Sequence, residues 1–153
     1  MKKSSNRITA PQLWIVMTRS YRALGRLAEQ SVAKAGIGLT DFAALEALLH
    51  KGPLTITEIQ NKVLLASGSM TAAIDRLERL GLIVRRPSAE DRRARVIQLT
   101  PGGRRIALSC FEQHAKDLEA ATAVLSENEK ERLYASLKKL GLFAGEQIKR
   151  ETA

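Results

Sequence analysis

Aromatic side chains are scarce in this sequence, because Phe, Tyr and Trp together make up only 4% of its 153 residues. A folded core must therefore consist mainly of Leu, Ile, Val and Ala, which favours packed helices over a β-sandwich. The same scarcity argues against a protein that binds single-stranded nucleic acid, because such proteins stack bases on aromatic side chains. The sequence does supply 44% hydrophobic residues, which is enough for the core of one domain.

Cysteine is nearly absent as well. Cys110 is the only one, so no disulfide can form within the chain and nothing indicates a secreted scaffold. The basic start, residues 1–7, is not followed by an apolar run, and no segment approaches the roughly 20 apolar residues of a membrane-spanning helix. We therefore expect no signal peptide, no membrane partner and a cytoplasmic location.

Residue patterns that support catalysis or metal binding are also missing. The sequence contains no paired nucleophile and base, no glycine-rich loop that would cradle a phosphate, and no paired carboxylates above the background of surface charge. Two histidines and one thiol do not form a recognisable ligand cluster. We expect neither an enzyme nor a bound metal or cofactor.

Positive charge, by contrast, is abundant and concentrated. The formal net charge is +9 and the isoelectric point is about 10.1, which indicates a polyanionic partner. Nucleic acid is favoured over lipid, because no basic amphipathic helix of the membrane-binding type is present. Residues 75–105 contain nine arginines and no lysine, and the planar donor fork of arginine suits phosphates and base edges. Charge alone is equally compatible with a solvated basic surface.

The hydrophobic periodicity around this arginine-rich segment predicts a helix-turn-helix and a hairpin. Apolar residues recur at helical spacing in residues 67–80, and polar residues occupy the opposite face. Beyond Gly81, residues 82–86 and 95–99 predict two strands joined by an exposed charged loop. Upstream, the capping box at residues 55–58 predicts a short helix. The apolar residues expected to face inward in the second helix are Met70, Ile74 and Leu77.

Longer amphipathic helices flank these elements. The pattern predicts helical segments over residues 9–36 and 101–150, and a buried helix from Leu39 with Thr40 as its N-terminal cap. Gly25 inside the first helix indicates close packing against another helix. The apolar seams of the flanking helices exceed what so small a domain can bury. We therefore expect them to pack against a second copy of the chain.

Three stretches closely resemble the signature of the MarR family of bacterial transcription regulators. They are residues 75–86 (DRLERLGLIVRR), 90–94 (EDRRA) and 96–104 (VIQLTPGGR). The resemblance implies a mainly α-helical fold with a small β-hairpin wing, that is, a winged helix-turn-helix with N- and C-terminal dimerisation helices. It also implies a homodimer bound to double-stranded DNA at a palindromic operator, whose half-sites we expect about 10 base pairs apart.

The resemblance also implies a domain organisation. Residues 1–8 are expected to be disordered, and residues 9–153 to form a single MarR-type unit. Within that unit, residues 39–100 would be the DNA-binding lobe, and residues 9–36 and 101–150 would be the dimerisation helices.

Positions that match the DNA contacts of the family fall on the predicted second helix and the wing. The resemblance implies that Asp91 braces the wing tip, and that Arg93, with Arg92 beside it, enters the minor groove. Asp75 matches a family aspartate that pairs with a wing arginine, and we interpret it as a structural brace. The expected major-groove set is Ser67, Ser69, Thr71, Ala72 and Arg76, and the expected phosphate-backbone set is Arg85, Arg86 and Arg95.

Many relatives release DNA when a small aromatic acid enters a cleft between the dimer helices and the DNA-binding lobe. The side chains available to line such a cleft are Trp14, Tyr21, His50 and Phe111, with ordinary core packing as the alternative for each. Another branch of the family senses peroxide through a cysteine near the start of the first helix, where this sequence has none. Cys110 is a redox candidate, because His114 shares its helix face and could lower the thiol pKa. The alternative is a buried structural thiol.

The sequence therefore predicts a sequence-specific DNA-binding transcriptional regulator. We expect a repressor that a small aromatic ligand or an oxidant releases from its palindromic operator. The alternative is a winged-helix module used only for protein contacts, without sequence-specific DNA binding. A regulator would bind DNA less tightly as the salt concentration rises, whereas a protein-contact module would show no sequence preference.

Overall fold

The computed structural model describes residues 7–63, 69–87 and 95–151 of the chain. It is mainly α-helical with one two-stranded antiparallel hairpin, as the sequence predicts. None of its described helices is long and apolar enough to cross a membrane. The elements in chain order are α1 (Ala10–Ala33), α2 (Leu39–Lys51), α3 (Ile56–Lys62), α4 (Met70–Arg79), β1 (Ile83–Pro87), β2 (Arg95–Leu99), α5 (Pro101–Thr122) and α6 (Glu127–Glu151).

Two compact units make up the described chain, and the boundary between them falls after Leu118. The first unit contains α1 to α4, the hairpin and most of α5, whereas the second contains the end of α5 and α6. All elements of the expected winged helix-turn-helix therefore lie in the first unit. The prediction of one unit over residues 9–153 stays a prediction.

The core of the first unit brings together α2, α4 and the hairpin. Phe42 of α2 is 2% exposed and Ile97 of β2 is fully buried. Met70, Ile74 and Leu77 of α4 are buried too, which confirms the predicted inward face. Full burial of one such side chain stabilises the folded state by roughly 1.5–3 kcal/mol. This burial determines which side of α4 faces solvent.

Polar caps start the helices of the lobe. The predicted capping box of α3 is confirmed, because the Glu58 carboxylate accepts from the Thr55 N–H at 2.7 Å and the Thr55 hydroxyl accepts from the Glu58 N–H at 3.3 Å. The prediction that Thr40 caps α2 is wrong. Gly38 occupies the cap position, and the Asp41 carboxylate reaches back to accept from its N–H at 3.2 Å.

The hairpin pairs β1 with β2 in antiparallel register, with Ile83 opposite Leu99. A third stretch of backbone joins it, because the Leu54 N–H donates to the Ile97 carbonyl at 3.2 Å and the Leu54 carbonyl accepts from the Ile97 N–H at 2.7 Å. These bonds tie the hairpin to the segment between α2 and α3. Residues 88–94, which lie between the two strands in the sequence, are outside the described residues.

A tight junction joins the end of α4 to the start of α5. Gly81 ends α4 with φ = 67°, and the Leu82 N–H donates to the Leu77 carbonyl at 2.9 Å, so β1 starts one residue later than predicted. The Thr100 hydroxyl donates to the Gly81 carbonyl at 2.8 Å and accepts from the Gly103 N–H at 2.9 Å, so Thr100 caps α5. A Cβ at Gly103 would lie only 1.8 Å from the Leu82 carbonyl oxygen.

The α1 helix exposes apolar side chains along its first half. Leu13, Trp14 and Val16 are 47%, 69% and 59% exposed. The close packing predicted at Gly25 is not found within the protomer, because no atom of another described element lies within 4 Å of a Cβ built there. In the second unit, Leu133, Leu137 and Leu140 of α6 are likewise exposed.

Replacing Gly103 with alanine is expected to destabilise the protein, because the new methyl group would overlap the Leu82 carbonyl. We expect a loss of about 2–4 kcal/mol in the free energy of unfolding, measured by urea unfolding at a fixed protein concentration. Gly102→Ala is the matched control, because its Cβ would lie 3.6 Å from the nearest atom, the Thr100 hydroxyl oxygen. Equal stability of the two variants would contradict the role of this junction.

Candidate nucleic-acid interface

The α4 helix divides its side chains into a buried side and a polar side. Ala73 joins the three predicted apolar residues in the core. The exposed set, which we call the α4 polar face, is Thr71, Ala72, Asp75, Arg76 and Arg79. Ser69 caps the helix, with its hydroxyl accepting from the Ala72 N–H at 3.4 Å. Ser67, also predicted to contact DNA, lies outside the described residues.

A clamp around Arg85 fastens the hairpin to α4. The Arg85 guanidinium donates to the carboxylates of both Asp75 and Glu78. Its pKa lies above its ordinary value, chiefly because of the hydrogen bond to Asp75. The pairing confirms Asp75 as a brace that holds an arginine of the wing. Arg85 was predicted to serve the phosphate backbone, and in this structure its donors are directed at α4.

A second pair links α4 to α2. The Arg76 Nε donates to the Asp41 Oδ2 at 3.3 Å and the Arg76 Nη2 donates to the Asp41 Oδ1 at 2.6 Å, which is a bidentate fork. The Asp41 side chain is only 6% exposed, whereas the Arg76 side chain is 44% exposed. The hydrogen bond to Asp41 raises the pKa of the Arg76 guanidinium above its ordinary value.

The remaining arginines of the candidate interface are more open. Arg86 at the end of β1 and Arg95 at the start of β2 are exposed, as is Arg79 on α4. Arg79 donates only a long bond of 3.4 Å to the Asp75 carbonyl among the described residues. The predicted wing residues Asp91, Arg92 and Arg93 lie outside the described residues.

Sequence reasoning did not single out Asp41 and Glu78, which hold the two arginines in place. The spacing of Asp41, three residues after Gly38, is typical of a residue that caps its own helix. That signal predicts the bond to Gly38 but not the pair with Arg76, which is 35 positions away. Glu78 carried no signal beyond lying one helical turn after Asp75.

A cavity of about 450 Å³ lies against α1, the start of α2 and α5. Tyr21 is the one predicted ligand residue that lines it. Trp14 is exposed on α1, and His50 and Phe111 contact each other edge to face with ring centroids 4.9 Å apart. The structure therefore does not bring the four predicted residues together around this cavity.

Cationic and polar side chains that the sequence reasoning missed line the same cavity. Arg22 and Arg26 come from α1, one helical turn apart, Glu29 comes from the same helix and His114 comes from α5. Because the two arginines outnumber Glu29, the charged side chains of the lining are positive on balance. The Nδ1 atom of His114 is buried and has no hydrogen-bond partner among the described residues. The apolar part of the cavity wall is formed by Leu24, Ala28 and Leu39. This lining suits a small molecule that combines an apolar body with a negative charge.

The environment of Cys110 differs from the one expected for a reactive thiol. Cys110 is 6% exposed, and burial raises the pKa of its thiol. A raised pKa lowers the thiolate fraction at neutral pH, and the thiolate is the reactive species. The His114 ring packs edge to face against Phe42, with centroids 5.2 Å apart, and lowering of the Cys110 pKa by His114 is not found. A redox role for Cys110 stays a prediction.

Comparisons with known proteins give one family model and several similar chains. The model of the MarR family matches residues 37–94. The HTH-type transcriptional regulator MhqR of Bacillus subtilis is 39% identical over 133 residues, which are 87% of this chain and 92% of that protein. The multiple antibiotic resistance protein MarR of Salmonella typhimurium is 30% identical over 116 residues, which are 75% of this chain and 81% of that protein. The structure of a mutant MarR from E. coli in complex with operator DNA matches with a TM-score of 0.74 and 26% identity. The match covers 84% of this chain and 92% of that one.

Arg85→Ala is expected to loosen the hairpin from α4, because it removes the guanidinium that Asp75 and Glu78 share. These groups are partly exposed, so we expect a loss of about 1 kcal/mol, seen as roughly 5-fold faster amide exchange in β1 and β2. Arg86→Ala is the control, because Arg86 is exposed one position further along the same strand. Hydrogen exchange followed by mass spectrometry compares the two, and equal protection would contradict the clamp.

Proposed function

Because this chain belongs to the MarR family of transcriptional regulators, we propose that it binds double-stranded DNA as a homodimer, with α4 of each protomer in the major groove. The observation that carries the proposal is the α4 polar face, which presents hydroxyl, methyl and guanidinium groups while the opposite side is fixed in the core. A helix of 10 residues is about 15 Å long. The major groove is about 12 Å wide and admits an α-helix of this kind.

The exposed groups suggest a division of contacts. The Thr71 hydroxyl can donate to or accept from a base edge, and the Ala72 methyl can pack against a thymine methyl. Arg86 and Arg95, exposed on the hairpin, would contact phosphates and release counterions from the DNA. Ser69 and Ser67 would add contacts at the start of α4, as the MarR resemblance implies.

The wing contacts rest on the resemblance and on the way the hairpin is held. Asp91 would brace the wing tip, while Arg92 and Arg93 would reach the minor groove. Because Arg85 fastens β1 to Asp75 of α4, the end of β1, after which residues 88–94 follow in the sequence, has a set position relative to α4. Helix and wing would then meet adjoining grooves of one duplex.

Exposed apolar surface supports the proposed homodimer. On α6 the side chains of Leu133, Leu137 and Leu140 are 48%, 42% and 42% exposed, and α1 exposes Trp14 among others. A second copy of the chain would cover such surface, and two-fold symmetry would match a palindromic operator. Since the target is DNA, we place the action of the protein in the cytoplasm and assign it no catalytic role.

Binding to a selected duplex tests this proposal. The selected duplex is one enriched by the wild-type protein from a random pool, and the control duplex is a scrambled version with the same length and base composition. We expect at least about 1,000-fold preference for the selected duplex, with affinity that falls steeply as salt rises. Absence of any preference would contradict DNA recognition and favour the alternative, a winged-helix module for protein contacts.

Arg93→Ala is expected to weaken binding to the selected duplex by about 10-fold or more, because one arginine contact to a groove is worth roughly 1–3 kcal/mol. Lys116→Ala removes the same charge from α5, outside α4 and the hairpin, and should change affinity by less than about 2-fold. Fluorescence anisotropy measures both, and circular dichroism checks the fold. Unchanged affinity in Arg93→Ala would contradict the wing contact.

The cavity supports a small aromatic acid as the signal that releases DNA. Tyr21 and the apolar wall would contact the ring, and Arg22 and Arg26 would contact the carboxylate. Leu39, the first residue of α2, also lines the cavity, so an occupant would contact the DNA-binding lobe directly. An oxidant is the second candidate, and the buried thiol of Cys110 with its raised pKa argues against it.

A release assay separates the two signals. We expect hydroxybenzoate to release the selected duplex from the wild type, and Arg26→Gln to need roughly 10-fold more of it, because a charge-assisted hydrogen bond is worth about 1.5–3 kcal/mol. Uncharged phenol is the ligand control. Hydrogen peroxide should act no better on the wild type than on Cys110→Ser. Release by peroxide from the wild type alone would instead make Cys110 the sensor.

A further inference from the structure

We propose that Asp41 is a positioning residue for DNA recognition. Its carboxylate holds and neutralises the Arg76 guanidinium, so that Arg76 favours the correct sequence without strengthening binding to DNA in general. The proposal rests on the DNA-binding function described above. It adds a residue of α2, outside the α4 polar face and the hairpin, to the machinery of sequence discrimination.

The geometry of the fork determines which donors of Arg76 remain for DNA. A guanidinium carries five N–H groups, and the fork uses one on Nε and one on Nη2. The other three, on Nη1 and the outer side of Nη2, are not used by Asp41. Because 44% of the Arg76 side chain is exposed, those donors are available on the α4 polar face. Arg76 therefore has a fixed orientation and an outer edge that makes no hydrogen bond to the described residues.

The position of Asp41 is itself fixed. Its side chain is 6% exposed, and its Oδ2 also accepts from the Gly38 N–H at the start of α2. The neighbouring Phe42 is buried in the core, so the first turn of α2 cannot shift freely. Arg76 is thus held by an anchor on another element, and little of its side-chain entropy remains to be lost on binding DNA.

Charge neutralisation separates specific from unspecific binding. An arginine without a partner attracts any phosphate, whatever the sequence, and this attraction supplies essentially all unspecific affinity. Pairing with a carboxylate 2.6 Å away largely cancels that attraction. A hydrogen bond from the fixed outer edge to a base still forms, but only where the base presents acceptors at the right place. Asp41 thereby raises the ratio of specific to unspecific affinity.

Asp41→Asn tests the inference with little risk to the fold. The side-chain oxygen of asparagine can accept from the Gly38 N–H as the Asp41 Oδ2 does, so this bond can be kept. Affinity for the selected and the scrambled duplex is measured over a series of salt concentrations. We expect binding to the scrambled duplex to become several-fold tighter and the preference for the selected duplex to fall about 10-fold or more. The salt slope, which is the slope of the logarithm of the binding constant against the logarithm of the salt concentration, should steepen by about 2 for the dimer. Each protomer would gain one phosphate contact, and each contact contributes about 0.9 to the slope.

One background and one charge control distinguish an action through Arg76 from a general change of charge. In Arg76→Gln, the further change Asp41→Asn should alter neither the salt slope nor the preference. Glu46→Gln is the matched charge control, since Glu46 lies on the same helix and makes no ion pair with the described residues. A wild-type slope and preference in Asp41→Asn, or the same shift in the Arg76→Gln background, would overturn the inference.

Arg76→Lys covers the case in which Asp41→Asn fails to fold. Lysine keeps the charge pair but not the planar fork. We expect a loss of preference of about 10-fold with an unchanged salt slope and an unchanged melting temperature. Wild-type preference in this variant would overturn the inference. If the wild type itself shows no preference, the proposed DNA-binding function fails, which is a separate outcome.

Discussion

Burial of one side of α4 is the constraint on which the DNA-binding lobe depends. Ile74 and Leu77 are fully buried, and Met70 lies beside them at the start of the helix. Rolling α4 about its axis would bring these side chains into water at a cost of roughly 1.5–3 kcal/mol each. The opposite side must therefore face outward, and its hydroxyl, methyl and guanidinium groups are presented in one orientation.

Ion pairs between arginines and carboxylates then hold α4 against its neighbouring elements. Arg76 ties α4 to α2 through Asp41, and Arg85 ties the hairpin to α4 through Asp75 and Glu78. Arginines held in this way contribute less to unspecific attraction than their number suggests. Unspecific attraction would then come from Arg86 and Arg95, the exposed arginines of the hairpin. Such an arrangement places general affinity and base reading on different side chains.

The sequence allowed much of the fold to be predicted, because the deciding signals are local. Periodicity revealed the inward face of α4, and the pattern from Thr55 to Glu58 revealed a cap that the structure confirms. The same reasoning named Thr40 as the cap of α2 and missed Gly38, whose place as the cap depends on the bond that the Asp41 side chain accepts from it.

Long-range pairs and burial could not be read in the same way. Nothing in the sequence joins Asp41 to Arg76 across 35 positions, and the cavity depends on how α1, α2 and α5 pack. Burial likewise decides the pKa of the Cys110 thiol, against the influence expected from His114 four residues later.

Dimethyl sulfate protection of guanine N7 on the selected duplex tests most directly whether two α4 polar faces enter successive major grooves. We expect two protected patches of the duplex, with centres about 10 base pairs apart. Absent protection, or protection spread evenly along the duplex, would contradict the placement of the α4 polar faces in successive major grooves.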